Sequence, residues 1–285
     1  MKKNKLVMPV LKWVGGKRQL LPEIKKYMPS INKNVTYYEP FVGGGAVLFE
    51  LQPDKAVIND VNRDLIDVYR VIKDNVEDLI TELQKDKYLN TSEAFYNIRE
   101  LDRKPKKFNN LTGVEKAARI LYLNKTCFNG LYRVNSIGEF NSPFGRYKNP
   151  NIINAAGLRA VSKYFNDANI TFLSGDFEST VKGIKKGSVV YFDPPYAPIS
   201  KTSNFTGYNE SGFGEEEQKR LKRLCDRLTE KGVHILLSNS DCEFIRELYS
   251  DKEKYEIISV KAKRAINSVG NLRGEVSEVL IKNNV

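Results

Sequence analysis

Ser188-Val189-Val190-Tyr191-Phe192-Asp193-Pro194-Pro195-Tyr196 is the stretch on which the fold turns. Its apolar, β-branched opening reads as a buried strand. An acid, two prolines and an aromatic follow. Proline lacks the N–H that would continue a ladder, so the strand ends there. In an open α/β sheet, ligands bind beyond the carboxyl ends of the strands. Asp193, Pro194 and Tyr196 therefore fall on a stiff loop at the mouth of a crevice. There a carboxylate can take an amino group and an aromatic ring can lie on a flat one. A strand followed by a plain proline turn fits the same residues.

Upstream, Val35-Thr36-Tyr37-Tyr38-Glu39-Pro40-Phe41-Val42-Gly43-Gly44-Gly45-Ala46-Val47-Leu48 reads as strand, glycine turn and helix. The glycines permit a tight turn and the close approach of a nucleoside. The spacing is not that of a dinucleotide fingerprint. A second strand, Ala56-Val57-Ile58, ends in Asn59-Asp60, with Asp60 17 residues after Gly43. An acid at that place typically takes ribose hydroxyls; a helix cap is the plainer alternative. Before all of these comes Leu11-Lys12-Trp13-Val14-Gly15-Gly16-Lys17-Arg18, a glycine turn flanked by lysines and followed by a helix pattern ending at Pro29. Such a turn suits a carboxylate or phosphate, though it lacks the spacing of a P-loop. A plain turn with solvated lysines also fits.

Residues 62–125 repeat apolar positions at helical spacing, with Lys104–Asn110 read as a loop. They predict a helical insertion in the α/β plan. Residues 101–150 hold ten Lys/Arg against three Asp/Glu, within a chain of net charge +11. That local excess suits a polyanion. From Cys127 to Lys148 the chain is rich in Gly, Asn, aromatics and Arg. Alternation around Leu131–Asn135 and a Ser-Ile-Gly turn predict a hairpin, of a kind suited to reading or wedging bases. Further strands are predicted at Ile170–Leu173, Val233–Leu237, Tyr255–Val260 and Val276–Ile281, and a helix at Glu215–Leu228. Ser200–Phe213, containing Asn204-Phe205-Thr206-Gly207-Tyr208, reads as a lid, and Arg264 and Arg273 mark a loop suited to phosphate. Three cysteines at no metal spacing read as reduced thiols, and one histidine argues against a histidine-rich metal site. No apolar run reaches 18 residues, and the basic start lacks the apolar segment of a signal peptide.

Together these motifs resemble the adenine-N6 DNA methyltransferases of the Dam and DpnII type, of the D12 class. The likeness runs almost end to end. Its motifs, in order, are Lys12-Trp13-Val14-Gly15-Gly16-Lys17, Glu39-Pro40-Phe41-Val42-Gly43-Gly44-Gly45, Asn59-Asp60, Phe128-Asn129-Gly130-Leu131-Tyr132-Arg133, Pro143-Phe144-Gly145-Arg146-Tyr147, Asp193-Pro194-Pro195-Tyr196 and Phe205-Thr206-Gly207-Tyr208. The resemblance implies a Rossmann-like, mostly parallel, doubly wound sheet with an inserted helical DNA-recognition domain carrying a β-hairpin. Residues 1–62 and 153–285 would form the catalytic domain, and 63–152 the recognition domain.

The implied cofactor is S-adenosylmethionine, with no metal. Trp13 and Lys17 would meet its methionine end. Glu39, Phe41, Gly43 and Gly45 would shape its pocket, and Asp60 would hold the ribose. Asp176 and Phe177 would flank its adenine, and Asp193 would border it. Lys12, Phe128, Asn129, Leu131, Arg133, Pro143 and Tyr147 would contact double-stranded DNA, with Arg133 reading a guanine and GATC the implied target. Phe128 stands where relatives carry Tyr, so it can wedge but not donate a hydroxyl bond. Residues 84–110 match nothing specific. Asp193 and the Pro194 carbonyl would each accept an N–H of a flipped adenine's amine while Tyr196 stacks on its ring. The resemblance further implies a cytoplasmic monomer of bacterial or phage origin, associated with the nucleoid, away from membranes, acting alone or with a cognate restriction endonuclease. Cytosine-N4 and protein-glutamine methylases carry other residues in place of Asp193. A silent DNA-binding protein would not need the cofactor motifs.

Overall fold

The computed structural model describes residues 3–198, 212–263 and 275–285. The Asn204–Tyr208 stretch, most of the lid and the loop arginines Arg264 and Arg273 lie outside the described residues. The strands are β1 (Tyr37–Glu39), β2 (Lys55–Asp60), β3 (Asn169–Ser174), β4 (Val189–Phe192), β5 (His234–Ser240), β6 (Tyr255–Lys263) and β7 (Glu275–Asn283). The chain divides into two compact units. The first is Met1–Gly16, Gly43–Asp54 and Asp60–Gly175; the second is Lys17–Val42, Lys55–Asn59 and Asp176–Val285.

The second unit is an α/β sheet, mostly parallel. Its strands run in the order β2-β1-β4-β5-β7-β6. β1 pairs in parallel with β2 and β4, and β4 with β5, whereas β7 inserts antiparallel between β5 and β6. All four residues of β4 are buried, as a central strand covered on both faces requires. Val190 and Phe192 on β4, Ile235 and Leu237 on β5, and Val279 and Ile281 on β7 share one core cluster, each pair spaced by two. The helix Glu215–Glu230 joins it through Leu221, Leu224, Cys225 and Leu228, spaced three and four apart. Fully burying each such side chain is worth about 1.5–3 kcal/mol. These contacts fix the carboxyl end of β4, and with it the start of the Asp193 loop.

The first unit is mainly helical, with β3 its one strand among the described residues. Its longer helices are Arg63–Asp74, Val76–Leu83, Ser92–Arg99, Gly113–Thr126 and Ala155–Asp167. Their starts follow from capping chemistry. Asn62, Thr91 and Asn154 each accept a backbone N–H three residues on, and Thr112 with Glu115 makes a reciprocal capping box. The expected loop at Lys104–Asn110 contains instead a short helix, Pro105–Asn109. Proline at its first position supplies a helical φ and loses no needed N–H.

The hairpin after Cys127 is short: Val134 bridges Phe140, flanked by the Asn141 N–H on the Arg133 carbonyl at 2.9 Å and the Asn135 N–H on the Glu139 carbonyl at 2.8 Å, and a second bridge joins Cys127 to Phe144. Its turn is closed by the Gly138 N–H on the Asn135 carbonyl at 3.0 Å. Asn135 Oδ1 also accepts the backbone N–H groups of Ile137 and Glu139, which tightens that turn.

Candidate active site

Asp193 follows directly on β4. Lys17 Nζ lies 2.9 Å from Asp193 Oδ1, and both side chains are largely withdrawn from solvent, at 8% and 19% exposed. The contact is an ion pair. Asp193 Oδ1 accepts no well-aligned hydrogen bond among the described residues. Burial pushes the Asp193 carboxyl up to about 6; Lys17 pulls it down, and the Glu278 carboxylate pushes it up. The Lys17 ammonium also sits 4.5 Å from the centre of the Tyr196 ring. Tyr196 donates its hydroxyl to Glu278 Oε2 at 2.7 Å. Burial and the carboxylates of Asp193 and Glu278 hold that hydroxyl protonated, far above its ordinary range.

The backbone after the acid is bracketed by buried polar side chains. Gln218 Nε2 donates to the Pro195 carbonyl at 2.8 Å, and Asn239 Oδ1 accepts the Ala197 N–H at 3.0 Å. Asn239 Nδ2 donates to Gln218 Oε1 at 3.0 Å, and Ser240 Oγ donates to the Ala197 carbonyl. Gln218, Asn239 and Ser240 are all buried. A satisfied buried network of this kind holds one geometry, because breaking any link leaves a polar group unpaired. The Asp193–Ala197 loop is thus braced by side chains far from it in sequence.

Four more expected residues, Glu39, Phe41, Asp176 and Phe177, stand in the second unit. Glu39, buried on β1, accepts the Tyr37 hydroxyl at 2.9 Å. Phe41 stacks on Phe177 with ring centres 5.4 Å apart, and Phe213 packs edge-on against Phe41 at 5.6 Å. Asp176 caps the helix Phe177–Thr180 through the Glu178 N–H. Its Oδ1 also takes Arg220 Nη2 at 2.6 Å, and the same guanidinium lies 4.7 Å over the Phe177 ring.

In the first unit the glycine turn is shaped around Trp13. Gly43 has φ +47°, and a Cβ there would stand 2.9 Å from Trp13 Cδ1; at Gly44 it would stand 3.1 Å from Trp13 Cβ. Gly45 precedes the helix Ala46–Leu51. Asp60 accepts the Gly43 N–H at 3.0 Å through one oxygen and the Asn62 N–H at 2.9 Å through the other. Burial raises its pKa despite these two bonds. Asp60 is therefore not the helix cap; Asn62 is.

The hairpin residues divide by exposure. Phe128, Asn129, Arg133 and Pro143 are exposed, Leu131 and Tyr147 half-buried. Phe128, at 55% exposed, is a large apolar side chain left in solvent. Asn129 beside it has a left-handed backbone, φ +57°. The Phe128 N–H donates to the Pro143 carbonyl at 2.8 Å. Leu131 offers its carbonyl to Ser142 Oγ. Arg133 Nε donates to Asn141 Oδ1 at 2.7 Å. Lys12 is pinned by its backbone, both of whose polar groups bond the fully buried Asn124 amide at 2.8 Å. Its ammonium lies 5.4 Å from the Tyr147 ring centre, and Trp13 stacks on Tyr132 at 5.1 Å. Each unit thus assembles its own share of the expected residues. Sequence reading missed Asn124, Asn141, Gln218, Asn239 and Glu278. Isolated amides and acids carry no spacing signal. Only the polar Ser238-Asn239-Ser240 end of β5, buried where a strand normally surfaces, hints at one of them.

A mostly parallel sheet with a buried acid, an aromatic ring and a braced loop at the carboxyl end of its central strand has the usual setting of a ligand crevice in an α/β protein. The model of the D12 class N6 adenine-specific DNA methyltransferases matches residues 13–266, and the chain belongs to that family. It is similar to the type II methyltransferase M1.LlaDCHI of Lactococcus lactis subsp. cremoris, 45% identical over 99% of this chain and 98% of that one. The type II methyltransferase M.MjaIII of Methanocaldococcus jannaschii is 43% identical over 97% of this chain and 99% of its own. The DNA adenine methylase of Escherichia coli K12 is 36% identical over 98% and 95%. The chain is an adenine-specific DNA methyltransferase, and DNA is its substrate.

Proposed function

We propose that the protein transfers a methyl group from S-adenosylmethionine to N6 of an adenine flipped out of duplex DNA, in the sequence GATC. The observation that carries this reading is Asp193: a carboxylate at the end of the central strand, its pKa raised to about 6, with an oxygen that accepts no aligned hydrogen bond. The donor chemistry of the remaining residues fits the cofactor. Lys17 offers a cation for its carboxylate, Trp13 and the glycine turn a close surface, and Asp60 acceptors for ribose hydroxyls. Glu39, Phe41, Phe177 and Asp176 supply walls and an acceptor for its adenine. When bound, S-adenosylmethionine supplies a methyl group already activated by the sulfonium charge.

Adenine N6 is a poor nucleophile because its lone pair is delocalised into the ring. Asp193 and the Pro194 carbonyl each accept one N6–H, which returns the lone pair to nitrogen and aims it. Tyr196, held by Glu278, lies against the ring. Above about pH 6 Asp193 is ionised and able to take the proton that N6 releases. A base in a duplex cannot reach this loop without flipping. Lys12, Phe128, Asn129, Leu131, Arg133, Pro143 and Tyr147 are assigned to the DNA, with Phe128 filling the opened stack. The setting of all of these but Lys12 in residues 63–152, and the excess of basic residues over 101–150, support a target-recognition domain on a catalytic domain of 1–62 and 153–285. The relatives named type II methyltransferases support a restriction–modification role, and the adenine methylases a solitary one. With DNA as its substrate, the protein is assigned to the bacterial or phage cytoplasm, as a monomer. Labelled S-adenosylmethionine, a GATC duplex and a GTTC control test the reading. Label on adenine N6 of the first alone supports it, and label on cytosine or on neither sinks it.

A further inference from the structure

Residues 84–110, which carry no motif, contain a buried device that ends on the recognition hairpin. Asp102 and Arg119 pair at 2.6 Å, their side chains only 10% and 7% exposed. The same Asp102 Oδ2 accepts the Phe140 N–H at 2.8 Å. Next to it, Arg103 Nη2 donates to the Phe140 carbonyl at 2.8 Å, while its Nη1 bonds Asp102 Oδ1 at 2.7 Å. Both backbone groups of Phe140 are thus taken by neighbouring side chains of one short 3-10 segment, Glu100–Arg103. Arg119 is in turn tied to the Ile98 and Arg99 carbonyls. The residue after Phe140 is Asn141. Its N–H donates to the Arg133 carbonyl at 2.9 Å, and its side-chain oxygen takes Arg133 Nε at 2.7 Å. An exposed arginine would otherwise sample many rotamers; here its stem and head are bracketed by one residue, which Asp102 immobilises from behind.

We propose that Asp102 is a positioning residue for sequence specificity, fixing the direction of Arg133 toward a base edge through Phe140 and Asn141. This rests on the reading of the hairpin as the DNA-recognition element. A bidentate arginine contact discriminates only if the guanidinium plane is held to the base edge. Loss of the brace therefore costs discrimination at one base position rather than DNA binding as a whole.

The test maps methylated sites on a plasmid of known sequence for wild type and the Asp102→Asn, Arg103→Met and Arg133→Ala variants. Wild type first defines the target. Asp102→Asn keeps one acceptor oxygen but turns an NH2 toward either Arg103 or the Arg119 and Phe140 donors, and Arg103→Met removes the donor to the Phe140 carbonyl together with its bond to Asp102 Oδ1, while Arg133→Ala leaves the brace whole, so folding is kept separate from aim. Both variants are expected to lose about tenfold in preference at one position, the same position that Arg133→Ala relaxes, and Asp102→Asn with Arg133→Ala to lose no more than Arg133→Ala alone. Slower methylation with an unchanged site preference, or relaxation at a different position, overturns the inference while leaving the enzymatic reading intact. Absence of N6-methyladenine with wild type overturns both.

Discussion

Replacing Lys17 with Met removes the one cation among the described residues that pulls the Asp193 carboxyl down. In the wild type that group titrates at about 6, so roughly 90% of it is ionised at pH 7. An opposite charge at this range holds a carboxylate lower by about 1–3 pH units. Without Lys17 the titration moves up by that amount, and the ionised fraction at pH 7 falls accordingly. The sign is fixed by chemistry: only the carboxylate accepts both an N–H and a proton, so activity is lost on the acid side. kcat/KM for duplex DNA, measured at saturating S-adenosylmethionine from pH 5 to 9.5, reads the carboxyl before target binds. The variant is expected to fall about twofold to a hundredfold at pH 7 and to recover as pH rises. Saturating cofactor separates this from any loss of cofactor affinity. An acid limb that stays put, or moves to lower pH, would refute the assignment of Asp193 as the titrating acceptor and of Lys17 as its counter-charge.

Glu278 acts in the opposite direction on the same group. Glu278→Gln keeps an acceptor for the Tyr196 hydroxyl and removes a like charge, so the acid limb moves to lower pH while kcat is largely retained. Glu278→Ala frees the ring and lowers kcat about tenfold or more with little change in cofactor binding; equal kcat for the two variants would show that the hydroxyl bond positions nothing. Asp60→Asn must turn an amide NH2 toward one of two backbone N–H donors. Calorimetry is expected to show S-adenosylmethionine bound about tenfold more weakly, and unchanged affinity would remove Asp60 from the cofactor site. At Gly145 an added Cβ would stand 2.8 Å from the Cys127 carbonyl oxygen, a backbone atom that cannot swing aside. Gly145→Ala should cost about 1–3 kcal/mol in urea unfolding at constant m; an unaltered midpoint would mean the hairpin base yields freely.

The sheet was legible because its signals are local. Val189–Phe192 is uniformly apolar and stops at two prolines, and β2, β5, β6 and β7 alternate or run apolar between polar turns. The clamp was legible because Asp, Pro, Pro and Tyr are adjacent. What holds the clamp was not. Glu278 lies 82 residues from Tyr196, and Gln218 lies 23 from Pro195. Single polar residues at such separations leave no periodicity to detect. The same holds for Asp102, 38 residues from Phe140. The short helix at Pro105–Asn109 was missed because Lys-Pro-Lys-Lys carries no apolar face. The hairpin was legible from the alternation on its two sides and the Ser-Ile-Gly turn, though the ladder that forms is only a few bonds long. Asp176 serves two structural roles that its neighbours in sequence do not announce, a helix cap and an ion pair with Arg220.

The most direct test of the account is to locate methyl groups at single-base resolution on plasmid DNA, grown without adenine methylation, after exposure to the protein and S-adenosylmethionine. The account predicts N6-methyladenine at GATC and none with Asp193→Ala, which should still bind the cofactor. N6-methyladenine persisting in the Asp193→Ala sample, or methyl groups on cytosine N4, would contradict it.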